Sequence, residues 1–255
     1  MKLSVVTVCL NARETIAEAV KSVHSQTFAD VEHIVVDGAS QDGTLEILEQ
    51  YRSGITTLIS ERDRGLYFAM NKGIAAATGD YLGFLNSDDV YHNDRVLDSI
   101  ATALSSSHAE ATHADLVYVH RDDPSRIVRY WCSKPYVTGM FEAGWHPAHP
   151  TLFVKTQLLR EMGGFDTRYR YHADFDLMVR LFVQRRISSV HIPEILVRMR
   201  TGGQSTRSLR NIYKGNRESL QIARRFNVGQ TPVWVARKLS YRVGQYFRRP
   251  KSGVG

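Results

Sequence analysis

At 255 residues the chain is long enough to bury a full hydrophobic core, as one α/β domain or one domain with an appendage, and its composition is that of an ordinary globular protein. No stretch approaches the ~18 apolar residues of a membrane span, and two cysteines, Cys9 and Cys132, give neither a disulfide framework nor a zinc site and read as buried thiols. The charge of +7 is uneven: of 33 Lys/Arg and 26 Asp/Glu, residues 205–255 hold 12 basic and one acidic (Glu218), leaving a slightly acidic body with 21 and 25 and a basic tail suited to an anionic surface.

Residues 3–10 are rich in β-formers and read as a first strand. The run follows one lysine and passes into Asn11-Ala12-Arg13-Glu14 without a cleavage-like site, so it is not taken as a signal-peptide core, and the protein is expected to stay in the cytosol. Thr15 and Glu18 have capping-box spacing, and Ile16, Ala19, Val20 and Val23 follow at helical period. A second strand, 33–36, ends at Asp37; residues 38–43 turn the chain, and Thr44 leads a helix with Leu45 and Leu48 on one face. A third strand, 57–59, precedes a helix holding Ala69, Met70, Ile74 and Ala75, and Thr78-Gly79 then releases the chain into the apolar run 81–85. This alternation predicts a parallel sheet with helices on both faces.

After Asp94 come a helix (Val96, Leu97, Ile100, Leu104) and a strand at 115–119. Beyond residue 126 the pattern is less regular: 127–131 and 151–154 read as strands, 156–162 and 174–183 as helices, and 187–192 with 195–199 as closing strands. Residues 205–248 read as two basic helices broken near 227–232, and no internal repeat is visible.

Asn86-Ser87-Asp88-Asp89 puts two carboxylates and an amide at the polar end of a buried strand, where ligands gather in open α/β sheets. Mg²⁺ or Mn²⁺ held there by one or two carboxylates takes its other ligands from a diphosphate; the alternative is a polar turn capping the next helix. Asp37, also at a strand end, is placed to meet a nucleobase edge or a ribose hydroxyl, or else simply starts a turn. Glu61-Arg62-Asp63-Arg64-Gly65 follows the third strand and is either a phosphate and hydroxyl contact or a solvated charge cluster. Asp174 and Asp176 begin a helix, where acids suit the dipole; one of them, desolvated against Phe175 and Tyr171, can serve instead as a general base. His146 and His149, beside Trp145 and flanked by prolines, make no convincing zinc site but can complete a metal shell or bind phosphate. No P-loop, G-x-G-x-x-G, G-x-S-x-G or H-E-x-x-H occurs.

Seven ordered blocks over about residues 3–205 resemble the family 2 glycosyltransferases: residues 4–11, 36–44, 63–73, 86–89, 149–153, 163–166 and 173–177. The resemblance implies a GT-A fold, α/β with a mostly parallel, Rossmann-like sheet, and inverting transfer of a sugar from a UDP- or GDP-sugar to a glycan or lipid-linked acceptor. Residues 1–204 would be the catalytic domain, split near residue 115 into donor and acceptor halves, and 205–255 a basic helical extension. Asp37 would contact the base, with the backbone of Val8 and Leu10 completing the pocket and Asn11, Asp63, Asn71 and Ser87 around the nucleotide. Asp88, with Asn86 and Asp89, would face Mn²⁺ or Mg²⁺; Asp174 would be the base, and Trp145, His146, His149 and Asp176 would lie on the acceptor side. Among the family's branches the chain looks most like small bacterial enzymes of exopolysaccharide or glycolipid synthesis. It departs from the usual D-x-D, since Asn86 offers a neutral oxygen in place of a charge.

In the tail, Leu209, Ile212, Tyr213, Leu220, Ile222, Phe226, Trp234, Leu239, Tyr246 and Phe247 alternate with Arg/Lys as in helices lying in a membrane interface. Packing against the domain or a nucleic-acid patch would use the same residues. A lipid-linked acceptor favours the anionic inner face of the plasma membrane, and no nucleic acid is expected. Competing functions are a sugar nucleotidyltransferase, although no glycine-rich triphosphate loop is present, and a non-catalytic relative binding a partner through its tail.

Overall fold

Strand β1 (Leu3–Cys9) is buried along its whole length and lies between β2 (Val31–Asp37) and β4 (Tyr81–Phe84), both parallel to it. β3 (Thr57–Ser60) extends the sheet beside β2. Crossovers run through α1 (Ile16–His24), α2 (Thr44–Gln50) and α3 (Leu66–Ala76). Four parallel strands therefore end on one edge, and Cys9, Asp37, Ser60 and the residues after Phe84 meet there. Thr15 makes no side-chain cap to α1, so the capping-box spacing is not used as such.

Past β4 the strand directions mix. After β5 (Val90–Tyr91) and α4 (Val96–Ser107) come β6 (Ala111–Val119) and β7 (Ile127–Trp131), then β8 (Phe153–Lys155), α5 (Thr156–Glu161), α6 (Ala173–Val179) and β9 (Ser189–Arg200). β8 runs antiparallel between β4 and β6, β6 is parallel to β9, and β5 and β7 run antiparallel to β9 and β6. The order is β3-β2-β1-β4-β8-β6-β9-β5, with β7 beside β6. Expected strands 187–192 and 195–199 are one element: the pairing with β6 shifts register near Asp115, which absorbs Pro193 without ending the strand. A 3₁₀ turn, His149–Thr151, precedes β8, and α6 passes into a π-helical turn, Arg180–Gln184.

The structure is a computed structural model that describes residues 1–202, 208–229 and 231–247. Residues 203–207 and 248–255, which take in the end of the expected catalytic domain and both ends of the expected tail, and Gln230 in the expected helix break lie outside the described residues. Helices α7 (Leu209–Arg225) and α8 (Pro232–Phe247) match the two basic helices read from the sequence. Ile222, Ala223, Val228 and Trp234 join the same buried cluster as Phe141, Phe175 and Phe182, so the inner faces of both helices extend the main core. Trp234 also donates its indole N–H to the Phe141 carbonyl at 2.8 Å, satisfying the one polar group it buries.

Close approach between layers depends on one glycine in particular. Any Cβ on Gly73 of α3 would collide with the Val6 side chain of β1, so glycine lets α3 lie directly on the central strand.

Beneath this layer His33 of β2 is fully buried and hydrogen-bonded to Thr7 Oγ1 (3.1 Å) and to His24 of α1 (3.2 Å). Burial, with His24 as a second cause, pushes His33 down to about 3 from 6.5, so the native protein holds it neutral. The unfolded chain protonates it near its ordinary value; its stabilisation is therefore complete above about pH 6.5 and is lost as pH falls toward the native value. A His33→Gln variant escapes this penalty. Measured by urea unfolding, the stability gap between wild type and variant should narrow by roughly 1.4 kcal/mol per pH unit between pH 6 and 4.5, and a constant gap would refute the account.

Candidate active site

At the end of β2 the Asp37 carboxylate is buried among four donors: Ser40 N–H (3.1 Å), Ser40 Oγ (2.5 Å), Ser60 Oγ (2.8 Å) and Cys9 Sγ (3.6 Å). It therefore organises the turn after its own strand and ties it to β1 and β3. Asn11 and Ala39 both take left-handed backbone conformations here, at φ 51° and 64°. Asn11 uses its N–H on Ser40 Oγ (2.8 Å) and its Oδ1 on the Gln41 N–H (3.0 Å), locking the two strand-end turns together. Such strain in non-glycine residues persists only where the surroundings over-determine it, and it clusters at functional sites. Val8 points into the main core, whereas Leu10 is 62% exposed beside Gly38, an apolar surface at the mouth of this edge.

The charged segment after β3 divides. Asp63 turns inward and pairs with Lys72 of α3 at 2.5 Å, and Glu61 reaches the same ammonium at 2.8 Å. Arg62 and Arg64 remain exposed at the start of α3. Asn71 is not open to a ligand: its Nδ2 donates to the Phe165 carbonyl (2.9 Å) and its Oδ1 accepts from the Phe165 N–H (2.8 Å). It pins the Gly163-Gly164-Phe165 turn, whose two glycines have φ of 73° and 65°, against α3.

Asn86-Ser87-Asp88-Asp89 follows β4 as expected, but its carboxylates differ. Asp89 is fully buried, accepting from the Arg200 N–H and from Asn86 Nδ2, each at 3.1 Å. Burial and the neighbouring Asp88 hold its carboxyl well above the usual range. Asp89 thus builds the loop and does not face an open site, a correction to the expectation that it meets a metal. Asp88 is partly exposed, and no other described residue donates to its carboxylate; burial raises it, with Arg200 and Arg121 pulling the other way. Ser87 is likewise partly exposed. The oxygens open to a cation are therefore those of Asp88 and Asn86 Oδ1. Among the described residues no group of three or more His, Cys, Asp or Glu could hold a metal by itself.

Arg200, at the end of β9, was not singled out from the sequence. Besides its N–H bond to Asp89 it donates Nη1 to the Asp88 carbonyl (2.9 Å) and Nη2 to Glu18 (2.6 Å), so it supports the whole loop. The only signal is a basic residue ending an apolar run, which is weak.

On the other side, Asp174 stands in the first turn of α6. Its Oδ1 accepts from the Phe175 N–H (2.8 Å) and lies 3.3 Å from the Tyr67 hydroxyl, which also reaches the Tyr171 carbonyl at 3.1 Å; Oδ2 has no donor among the described residues. Burial raises this carboxyl, while His172, His149, the Phe175 N–H and His146 draw it the other way, to below its usual value. Burial in turn pushes His146 down to about 4 and His172 to about 3. Tyr67, which links α3 to Asp174, carried no sequence signal beyond an apolar helix face.

The other expected acceptor-side residues are packed. His149 stacks on Phe84 at 5.6 Å and meets Phe165 edge-on, joining the end of β4 to this half of the molecule. His146 lies edge-on to Phe175 and Trp131 and bonds the Pro147 carbonyl through Nδ1 (2.9 Å), and Trp145 is buried beside Tyr136. Asp176 is fully buried and ion-paired with Arg180 at 2.7 Å and Arg225 at 3.5 Å. It fastens α6 to α7 and is closed off from solvent, where an acceptor-side contact was expected.

Residues 4–153 match the family model described as glycosyl transferase family 2. A PGL/p-HBAD biosynthesis glycosyltransferase of Mycobacterium bovis (strain BCG) is 31% identical over 182 residues, covering 70% of this chain and 69% of the relative. The fold is similar to that of S. aureus TarS residues 1-349, with a TM-score of 0.67 and 18% identity over 96% of this chain and 72% of that one; TarS has also been solved with UDP and with UDP-GlcNAc. It is similar too to the mannosyltransferase PcManGT from Pyrobaculum calidifontis in complex with GDP-Man and Mn²⁺, with a TM-score of 0.66 and 15% identity over 98% and 76% of the two chains. These structural likenesses show a GT-A fold, and the match of family and sequence shows that the chain belongs to glycosyl transferase family 2 and is a glycosyltransferase.

Proposed function

We propose that the enzyme moves a sugar from a UDP- or GDP-sugar, with inversion, to a hydroxyl of a glycan or lipid-linked acceptor in bacterial surface polysaccharide or glycolipid synthesis. The observation that carries the reading is the geometry of Asp174: one carboxylate oxygen is held by the Phe175 N–H and the Tyr67 hydroxyl, and the other is open. A base must have a lone pair to offer and a fixed position from which to offer it. In the single displacement the acceptor oxygen forms its bond to the anomeric carbon while the bond from that carbon to the diphosphate oxygen breaks. The acceptor proton passes to Asp174 Oδ2, and the nucleoside diphosphate leaves from the opposite face.

Donor binding is assigned to the edge formed by β1, β2 and β4. Leu10 and Gly38 offer an apolar seat for the base, with Asp37 shaping the backbone around it. Arg62 and Arg64, exposed beside α3, are placed for phosphate oxygens. Asp88 and Asn86 Oδ1 suit Mg²⁺ or Mn²⁺, which bind through few protein carboxylates and take other ligands from phosphates and water. When bound, that ion would neutralise charge on the departing diphosphate. The named relatives support a donor of this class: TarS with UDP and UDP-GlcNAc, and PcManGT with GDP-Man and Mn²⁺. The PGL/p-HBAD biosynthesis enzyme supports a glycolipid setting.

The tail divides between two of the three roles weighed from its sequence, packing on the domain and lying on a membrane. Ile222 and Trp234 are buried against the domain, so the inner faces of α7 and α8 are spent on packing. Val233, Leu239, Val243 and Phe247 on α8 are exposed, Phe247 by 83%, and exposed Arg237 and Arg242 accompany them. Among the described residues no helix is long and apolar enough to cross a membrane. An apolar stripe edged with arginines fits a helix lying in an anionic interface, and we assign the enzyme to the inner face of the plasma membrane.

Two measurements test these assignments. With the nucleotide sugar that supports diphosphate release in wild type, Asp174→Asn should lower kcat by about 10²–10⁴ while leaving donor binding nearly unchanged; substantial retained transfer rules out Asp174 as the base. A Val243→Asp, Phe247→Asp double variant should lose most of its flotation with anionic liposomes, since each change removes apolar burial and adds repulsion, and flotation equal to wild type would refute the membrane role of α8.

A further inference from the structure

Glu218 is the single acid among residues 205–255, and its partners are backbone N–H groups of another segment. It reaches out of α7 to the segment that leads into α6. Its Oε1 accepts the N–H of Arg170 (3.0 Å), and its Oε2 accepts the N–H groups of Tyr171 (2.8 Å) and His172 (3.1 Å). Three successive backbone donors just before Asp174 are thus held by one carboxylate from the extension. Bonds from N–H groups to an ionised acceptor are shorter and roughly twice as strong as neutral ones.

The same surface of α7 makes three more contacts with this region. Tyr171 donates its hydroxyl to Asn211 Oδ1 at 3.1 Å. Gly215 lies over His172 so closely that a Cβ there would sit 2.8 Å from the imidazole Nε2. Ser219, next to Glu218 and buried, accepts from Lys238 Nζ at 2.9 Å, and that ammonium lies 4.8 Å from the ring centre of Phe175. Both helices of the extension therefore converge on residues 170–175.

We propose that the extension is part of the catalytic apparatus, with Glu218 as a positioning residue for Asp174. It rests on the reading of Asp174 as the base. The path is short: Glu218 fixes the backbone of 170–172, and within that backbone the Tyr171 carbonyl shares the Tyr67 hydroxyl with Asp174 Oδ1. Releasing the clamp frees both the main chain before Asp174 and the partner of its anchored oxygen. Misplacement of a reacting group by about 1 Å costs on the order of 10² in rate, without any change in donor contacts on the opposite side of the site.

The test is steady-state transfer by full-length Glu218→Ala and Glu218→Gln, with thermal melting run in parallel. The Ala variant should lose roughly 10- to 100-fold in kcat, with the donor KM held within about twofold. The Gln variant should recover part of that loss: its oxygen can replace Oε2 for Tyr171 and His172, but its amide NH₂ meets the Arg170 N–H as donor against donor. A purely structural role would lower the melting temperature and leave kcat unchanged at temperatures where the variant is folded; that result overturns the proposal. If the Ala variant does not fold, the Gln variant decides, and wild-type kcat in it overturns the proposal equally. Asp174→Asn separates the two readings. Lost transfer there with wild-type kcat in both Glu218 variants removes only the positioning role, whereas retained transfer in Asp174→Asn removes the base assignment beneath it.

Discussion

A carboxylate taken out of water must be given donors or a counter-charge, and this constraint sorts the acids around the sheet edge. Asp37 is answered by two serines and a thiol, Asp63 by Lys72, Asp89 by Arg200 and Asn86, and Asp176 by two arginines. Those four build the site. Asp88 and Asp174 each keep an oxygen that no other described residue occupies. What sets these two apart from the other four is an oxygen with neither a hydrogen-bond donor nor an ion-paired cation among the other described residues, and they stand on opposite sides of the site.

The two sides of the site are joined mechanically by α3. Its start carries exposed Arg64, its first turn carries Tyr67 to Asp174, Asn71 grips the turn at Phe165, and Lys72 holds Asp63. Gly73 lets this helix lie directly on β1. A second tie runs through the aromatic rings: Phe84, one strand end away from Asp88, stacks on His149, and Phe165 meets both. Histidines in such a wall must stay neutral, which fits the depressed values of His146 and His149. The wall therefore gives shape to the site.

The first half of the fold was legible because buried parallel strands read as unbroken apolar runs, and β1, β2, β3 and β4 all appear within a residue or two of their expected places. Two-residue β5 is too short to have a period, and β9 crosses Pro193 because β6 shifts register to accommodate it. The positions of the acids were legible too, at strand ends and a first helical turn. What the sequence could not show was which way each side chain would turn. Asp89 and not Asp88 is closed because Arg200 arrives from 111 residues away, and Asn71 is spent because Phe165 arrives from 94. Local spacing carries no trace of such partners.

The basic tail shows the same effect at larger scale. Its alternation of apolar and basic residues suited a membrane face and a packed face equally well, and the two helices divide accordingly. On α8, Trp234 and Lys238 turn toward Phe141 and Phe175, while Val243 and Phe247 turn to solvent. One helix thus separates the neighbourhood of Asp174 from whatever its outer stripe lies upon. On the reading proposed above, an acceptor with its lipid in the bilayer and its sugar at Asp174 has only the thickness of that helix to span, roughly 10 Å. A glycan acceptor can then be extended at the interface without its anchor leaving the membrane, and the lone acid of a strongly basic segment lies where it holds residues 170–172 against that helix pair.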